Sequence, residues 1–275
     1  MSFFVTNSSK LNLIKKEKPD DKGLRECQIG AYWATLAHFT ATKDPALIVM
    51  PTGSGKTAVL MLLSLGLKAN RVLIITPSVV LRDQTWEKFK TLDDIVKQGV
   101  FPDNIGKVNV HRQKKSITSP KGWKTLEQYN VVVTTPRTIS SVCNKKIIPP
   151  PPNLFDLVFF DEAHHITAPS WEELRKAFGN SKCVQLTATP FRLDHQKMPD
   201  EIVYSYPIDR AINEGIYQPV KYLKIRADTA QESDQKLCEL AKTVLDKEKQ
   251  DEHRTKILIR TDRVSKCKPL IQLYK

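Results

Sequence analysis

Five short apolar runs punctuate the chain: Ala46–Met50, Val72–Thr76, Val131–Thr135, Leu157–Phe160 and Cys183–Thr187. Their near-continuous Val, Ile and Leu content predicts strands covered on both faces, as in a parallel sheet. The stretches between them have helical spacing. Gly23 to Thr40 places Leu24, Cys27, Ala31, Leu36 and Phe39 at helical intervals, and Lys56–Leu67 and Leu81–Phe89 read as crossover helices. Ser170-Trp171-Glu172-Glu173 has the form of a capping box, and Gly179 sits where that helix would stop in a left-handed conformation. The pattern predicts an α/β fold, a mostly parallel sheet flanked by helices.

Other segments break this rhythm. Residues 1–21 are polar, through Lys15-Lys16-Glu17-Lys18-Pro19-Asp20, and read as a flexible leader. Phe101 to Asn130 is basic and poor in apolar runs; with Pro149-Pro150-Pro151-Pro152 it reads as surface insertion and stiff loop. The alternation restarts after Tyr217-Gln218-Pro219. Strands are expected over Val220–Ile225 and Lys256–Thr261, and helices over Ser233–Lys249 and Val264–Tyr274. The expected division is therefore a domain over 22–216 and a second, truncated one over 217–275, whose few strands are too little sheet to bury their own faces.

Composition narrows the class. Hydrophobic residues at 40% and charged residues at 27% of 275 suit a soluble globular protein. The 43 Lys+Arg against 30 Asp+Glu leave a formal charge of +13, which favours polyanionic partners. Five scattered cysteines (Cys27, Cys143, Cys183, Cys238, Cys267) form no C-x-x-C pair, so reduced thiols in a cytoplasmic protein, nuclear if the source is eukaryotic, are expected. No apolar stretch approaches the ~20 residues that span a bilayer, and no membrane partner is expected.

Candidate chemistry sits at the ends of the apolar runs. Thr52-Gly53-Ser54-Gly55-Lys56-Thr57 lies between an expected strand and an expected helix, the setting a phosphate loop needs. Glycines let backbone N–H groups curl around phosphate oxygens, and the helix amino end adds partial positive charge. Lys56 would reach the β- and γ-phosphates, and Thr57 would offer its hydroxyl to Mg²⁺. The first position of the general pattern G-x-x-x-x-G-K-[ST] is Met50 rather than glycine. Asp161 and Glu162 emerge where the Leu157–Phe160 strand ends, the edge at which open parallel sheets bind ligands. Asp161 would hold Mg²⁺, and Glu162 would orient and deprotonate an attacking water.

With these residues, followed by Ala163-His164-His165 and Leu186-Thr187-Ala188-Thr189-Pro190, the chain resembles superfamily 2 helicases and translocases. It is most similar to the DEAH-box group that includes type III restriction subunits. The resemblance covers about residues 22 to 275 and implies a RecA-like P-loop domain followed by the start of a second. Nucleic-acid motors of this kind relax the first loop glycine. Leu24-Arg25-Glu26-Cys27-Gln28 resembles the adenine-reading element, which implies roles for Arg25 and Gln28, although the aromatic often found before that glutamine is Cys27.

Thr76-Pro77-Ser78 with Leu81 and Gln84, and Thr134-Thr135-Pro136-Arg137, resemble elements lining a nucleic-acid track. Pro77, Ser78, Gln84, Thr135 and Arg137 are thereby nucleic-acid candidates. Thr187-Ala188-Thr189 resembles the element coupling nucleotide to strand, with His164 its implied partner. Ala211 to Ile216 resembles the helix and turn before the interdomain crossing, with Gly215 as helix stop.

The resemblance implies ATP and Mg²⁺ as cofactors and DNA as partner, with RNA possible. It also implies late motifs on a second domain, including a transition-state arginine, so chain 1–275 is expected to bind Mg·ATP and hydrolyse it weakly. Two alternatives stand beside a helicase or translocase: a nucleic-acid-binding or regulatory module that does not cycle ATP, and an RNA-directed helicase. The remainder of a longer motor, or a companion subunit, is a further expected partner.

Overall fold

A computed structural model describes residues 2–18, 20–162, 168–189, 200–217, 222–250, 257–261 and 263–273. The chain divides into two compact units, Met1–Gln218 and Pro219–Lys275.

The first unit is built on seven strands: β1 (Ala46–Val49), β2 (Val72–Ile75), β3 (Val110–Arg112), β4 (Val131–Thr134), β5 (Leu157–Asp161), β6 (Lys182–Thr187) and β7 (Glu201–Ser205). They form one sheet in the order β3-β4-β2-β5-β6-β1-β7, and every pairing is parallel. Nine helices accompany it among the described residues. They are α1 (Phe3–Asn7), α2 (Glu26–Ala41), α3 (Lys56–Gly66), α4 (Val79–Thr91), α5 (Asp93–Lys97), α6 (Pro120–Lys124), α7 (Pro136–Ile139), α8 (Ala168–Ala177) and α9 (Ile208–Asn213).

Alternation within the buried strands makes two cores, one on each face. Ile48, Val72, Ile74, Val131, Val133, Leu157, Phe159, Val184 and Leu186 point to the face carrying Cys27, Ala31 and the apolar side of α3. Leu47, Val49, Leu73, Ile75, Val132, Val158, Phe160 and Cys183 point to the other, against Trp123, Phe155, Leu174 and Phe178. Burial on both faces is why the five central strands read as unbroken apolar runs.

Several expectations need correction. The described residues of the 1–21 segment are docked rather than loose. Phe4 is fully buried beside Phe3, Ser2 Oγ donates to Ala69 O at 2.8 Å, and Asn12 N donates to Val100 O at 2.9 Å. A turn at Gly23, φ +127°, brings Leu24 back to pair with Lys15. A Cβ at Gly23 would lie 2.8 Å from Lys16 N, so the tight return requires glycine.

The 101–130 stretch is likewise not mere surface. It supplies β3 and α6, and it buries Val108, Ile117, Trp123 and Leu126. Ser170 does not open a capping box, because α8 already begins at Ala168 and Glu173 turns away to another loop. Gly179 is absent from the positive-φ glycines, whereas Gly215, φ +68°, does follow the end of α9.

The second unit holds α10 (Ala230–Gln250), a 3₁₀ turn at Val264–Lys266 and α11 (Cys267–Leu273), where Cys238 Sγ donates to Leu273 O at 3.2 Å. Both helices fall where helical spacing places them. The strands expected over Val220–Ile225 and Lys256–Thr261 are not formed in their described parts, 222–225 and 257–261. Tyr222, Leu223 and Leu258 are exposed, and an apolar run without a neighbouring strand has no ladder to join. All five cysteines are free thiols. No helix of the described residues is long and apolar enough to cross a membrane.

Candidate nucleotide site and nucleic-acid interface

The carboxyl ends of the parallel strands gather most of the sequence candidates along one edge. Backbone bonds sew neighbouring loops together there: Met50 N donates to Thr187 O at 2.9 Å, and Thr76 N to Thr134 O at 3.0 Å. The edge thus has a β1–β5–β6 half carrying the glycine loop and acids, and a β2–β4 half carrying the Thr76 and Thr134 loops.

The loop between β1 and α3 is a cradle closed from behind. Gly53 and Gly55 have φ of +84° and +87°, and Gly55 is the residue from which α3 starts. Gln28, almost fully buried at the start of α2, pins it: its Oε1 accepts from Arg25 N at 2.9 Å and its Nε2 donates to Gly55 O at 3.3 Å. The Arg25 guanidinium donates to Gly53 O. The two residues expected to read a base therefore hold the loop itself, while still lining the cleft.

Ser54 is fully buried. Its hydroxyl donates to Pro51 O at 2.7 Å and its N–H to the same carbonyl at 3.3 Å, so it braces the loop from beneath. Cys27 Sγ contacts Ser54 O at 3.7 Å, and burial pushes that thiol up to about 11. It is a packing group, not a nucleophile.

Lys56 is aimed across the cradle. Its Nζ lies 2.9 Å from Glu162 Oε1 and 3.3 Å from Met50 O. Glu162 has φ +50°, a left-handed conformation that a non-glycine residue holds at a cost of order 1–3 kcal/mol and that clusters at working sites. Asp161 is pushed up to about 6, first by burial and then by the adjacent Glu162 charge, with Lys56 opposing. Two acids and one lysine so placed form an anion-responsive group: added negative charge competes for Lys56, and added positive charge relieves the acids.

The cleft of about 570 Å³ is lined by Thr52, Gly53, Gly55, Lys56, Thr57, Asp161 and Glu162. It also takes in residues the sequence did not single out, among them Lys16, Asp21, Lys88, Asp94 and Gln98. Gln98 Oε1 is buried there without a hydrogen-bond partner. These come from the docked amino-terminal segment and from α4 and α5, and no local motif marks them.

On the other half of the edge, Ser78 caps α4 by accepting from Leu81 N at 3.2 Å, Pro77 is half-buried and Gln84 is exposed. Arg137 is exposed on α7. Thr135 is buried, and its carbonyl accepts from Thr138 Oγ1 at 2.9 Å, so it shapes α7 rather than presenting a hydroxyl. Thr187 is buried and bonds both ways with Thr189: its Oγ1 donates to Thr189 O at 2.7 Å and accepts from Thr189 N at 3.1 Å. His164, the implied partner of that turn, lies outside the described residues.

Residues 21–192 match the model of the family described as type III restriction enzyme, res subunit. The chain belongs to that family. Its seven-stranded parallel sheet with the glycine loop after β1 is RecA-like, and the motif resemblance to superfamily 2 holds.

Solved structures similar to the chain include a nuclease-deletion mutant of the Type ISP restriction-modification enzyme LlaGI in complex with a DNA substrate mimic. It is 20% identical over 82% of this chain and 23% of that one, with TM-score 0.48. The UvsW helicase from Bacteriophage T4 is 20% identical over 68% of this chain and 59% of its own, TM-score 0.46. A DEAD box protein from the hyperthermophile Methanococcus jannaschii is 17% identical over 96% and 77%, TM-score 0.48. The chain spans about a quarter of the LlaGI length and three fifths of the UvsW length. No curated protein matches it significantly.

Proposed function

We propose that this chain carries the ATP-binding, ATP-hydrolysing site of a nucleic-acid helicase or translocase acting on DNA. The observation that carries the reading is the 2.9 Å pairing of Lys56 with Glu162 across a cradle of two left-handed glycines. It supports the reading because a cation and a carboxylate line the same cleft as the glycine loop.

In this reading the triphosphate takes Lys56 from Glu162, and the released carboxylate orients the attacking water and accepts its proton. Thr57 and Asp161 would hold Mg²⁺. Their hard oxygen donors suit that ion, which substrate phosphates also help to hold. Bound there, the ion supplies neutralisation of developing phosphate charge.

The family's description as a restriction subunit favours DNA over RNA, and the formal charge of +13 suits either polyanion. Arg137 and Gln84 are the exposed candidates for backbone contacts.

The test is thermal unfolding of chain 1–275 with and without Mg·ATP, alongside anisotropy of a labelled single strand. A ligand at 100 times its Kd stabilises by about 2.7 kcal/mol, which moves the melting point of a chain this size by several degrees. Lys56→Ala should abolish that shift while strand binding survives, and a matched RNA competitor should bind less tightly than DNA. A wild-type melting curve indifferent to Mg·ATP would refute the proposal.

A further inference from the structure

Glu173 occupies the middle of α8, the helix that follows the acid pair in sequence, yet its carboxylate serves a distant loop. Oε1 accepts from Ser141 N at 2.7 Å and from Ser141 Oγ; Oε2 accepts from Ser140 Oγ and, at 3.4 Å, from Val142 N. Four donors converge on one side chain more than thirty positions away in sequence. Burial disfavours the charged form, but the donors outweigh it and hold the carboxyl below its usual range. A second contact accompanies the clamp, Ser170 Oγ to Cys143 Sγ at 3.6 Å.

The clamped loop is the continuation of α7, which carries Arg137. Ser140 N donates to Pro136 O at 2.8 Å, closing α7. Asn144 Nδ2 donates to Ser116 Oγ at 3.2 Å, Ser116 Oγ donates to Arg137 O at 3.4 Å, and Ile117 N donates to Thr138 O at 3.0 Å. The carboxylate therefore ties α8, which follows Asp161 and Glu162 in sequence, to the backbone that continues from the exposed Arg137. Nothing about α8 itself requires this: Glu173 is too far into the helix to cap it.

We propose that Glu173 is a positioning residue that couples nucleotide occupancy to nucleic-acid affinity by moving the Ser140–Val142 loop, and Arg137 with it, as α8 moves. This inference rests on the ATP-and-nucleic-acid reading above. Coupling carried by hydrogen bonds between packed elements is reciprocal, and a carboxylate with four donors transmits displacement better than any single bond.

The test is made on chain 1–275 with a labelled single strand of twenty thymidines and the β,γ-imido analogue of ATP with Mg²⁺. The strand's Kd is measured with and without nucleotide. Wild type should show a coupling factor at the lower end of the usual range, about 5-fold. Glu173→Gln keeps the shape but replaces one acceptor with a donor facing the Ser140 and Ser141 hydroxyls. Its coupling factor should fall to about one, while the melting shift with nucleotide and the nucleotide-free strand Kd stay within about twofold of wild type. Ser140→Ala with Ser141→Ala leaves the carboxylate and backbone donors in place and should lower the factor part-way; it carries the test if Glu173→Gln does not fold.

Wild-type coupling retained in both variants overturns the proposal. So does an equal loss of strand affinity with and without nucleotide, which would mean that the clamp only stabilises the loop. A wild-type chain whose strand Kd ignores nucleotide while its melting point shifts also overturns the proposal. A melting point that nucleotide leaves unmoved overturns the functional reading instead, and the coupling role falls with it.

Discussion

Replacing Gly55 by alanine tests the cradle most directly. Two separate penalties are built into that position. The first is backbone: at φ +87° an L-residue with a Cβ costs about 1–2 kcal/mol. The second is packing. The new methyl group would overlap the Gln28 amide, which is almost fully buried and cannot swing into water. Displacing it breaks the bonds to Gly55 O and from Arg25 N, about 1 kcal/mol each, and leaves polar groups unsatisfied at about 1–3 kcal/mol.

Gly55→Ala should therefore lower stability by about 4–7 kcal/mol, read from the urea midpoint at unchanged m-value. With Gln28→Ala already present the overlap is gone and only the strain remains, about 1–2 kcal/mol. The double variant should fall short of the sum of the singles by about 3–5 kcal/mol, and neither Gly55→Ala protein should respond to Mg·ATP. Additivity to within about 0.5 kcal/mol, the behaviour of independent sites, would refute the geometry argued for Gln28.

Two further outcomes follow from burial and charge. Phe4→Ala and Trp123→Ala should each cost about 3–5 kcal/mol by urea unfolding while leaving the Mg·ATP melting shift intact; changes near 0.5 kcal/mol would mean that these segments lie loosely on the surface. Asp161, held at about 6 against an ordinary 3.8, keeps its proton in the folded chain where the unfolded chain has lost it. Stability of the nucleotide-free, magnesium-free protein should thus decline through this group as pH rises from about 4 to about 6, by at most about 3 kcal/mol. Asp161→Asn should remove that decline and be the more stable protein at pH 8. Parallel stability curves for the two proteins would contradict the burial argument.

What was legible in the sequence is what is local or doubly buried. β1, β2, β4, β5 and β6 announce themselves because both faces are covered, and the 52–57 loop because its chemistry needs contiguous residues. β3 and β7 lie at the sheet's two edges. Val110-His111-Arg112 is only half-buried, and Glu201 and Ser205 are exposed, so neither segment carries the apolar run of an interior strand. Ser170 and Glu173 have the right spacing for a cap, but Glu173 finds more donors on the Ser140 loop than any helix end could offer. The amino-terminal segment is polar by count and still docks, because a few residues, Phe4 above all, supply its anchorage. Lys16, Lys88 and Gln98 reach the cleft only through tertiary placement, which no spacing rule encodes.

Under the proposed function, the Lys56–Glu162 pair would join substrate binding to activation of the base. Its side chains are only 11% and 18% exposed, so neither charge can be left alone without a large desolvation cost. In the proposed reading, while the pair stands Lys56 engages the Glu162 carboxylate and keeps it from orienting a water. A phosphate that displaced it would compensate Lys56 in its place and leave the carboxylate facing the cleft. The left-handed backbone at Glu162 fits the same account: the chain bears strain at the one residue that must be aimed first at the lysine and then away from it. The proposed role of Glu173 would carry such a reorientation to the opposite half of the edge through its bonds to the Ser140–Val142 loop. Exchange of one anion for another at Lys56 would then serve the two proposals together, as chemical and as conformational trigger.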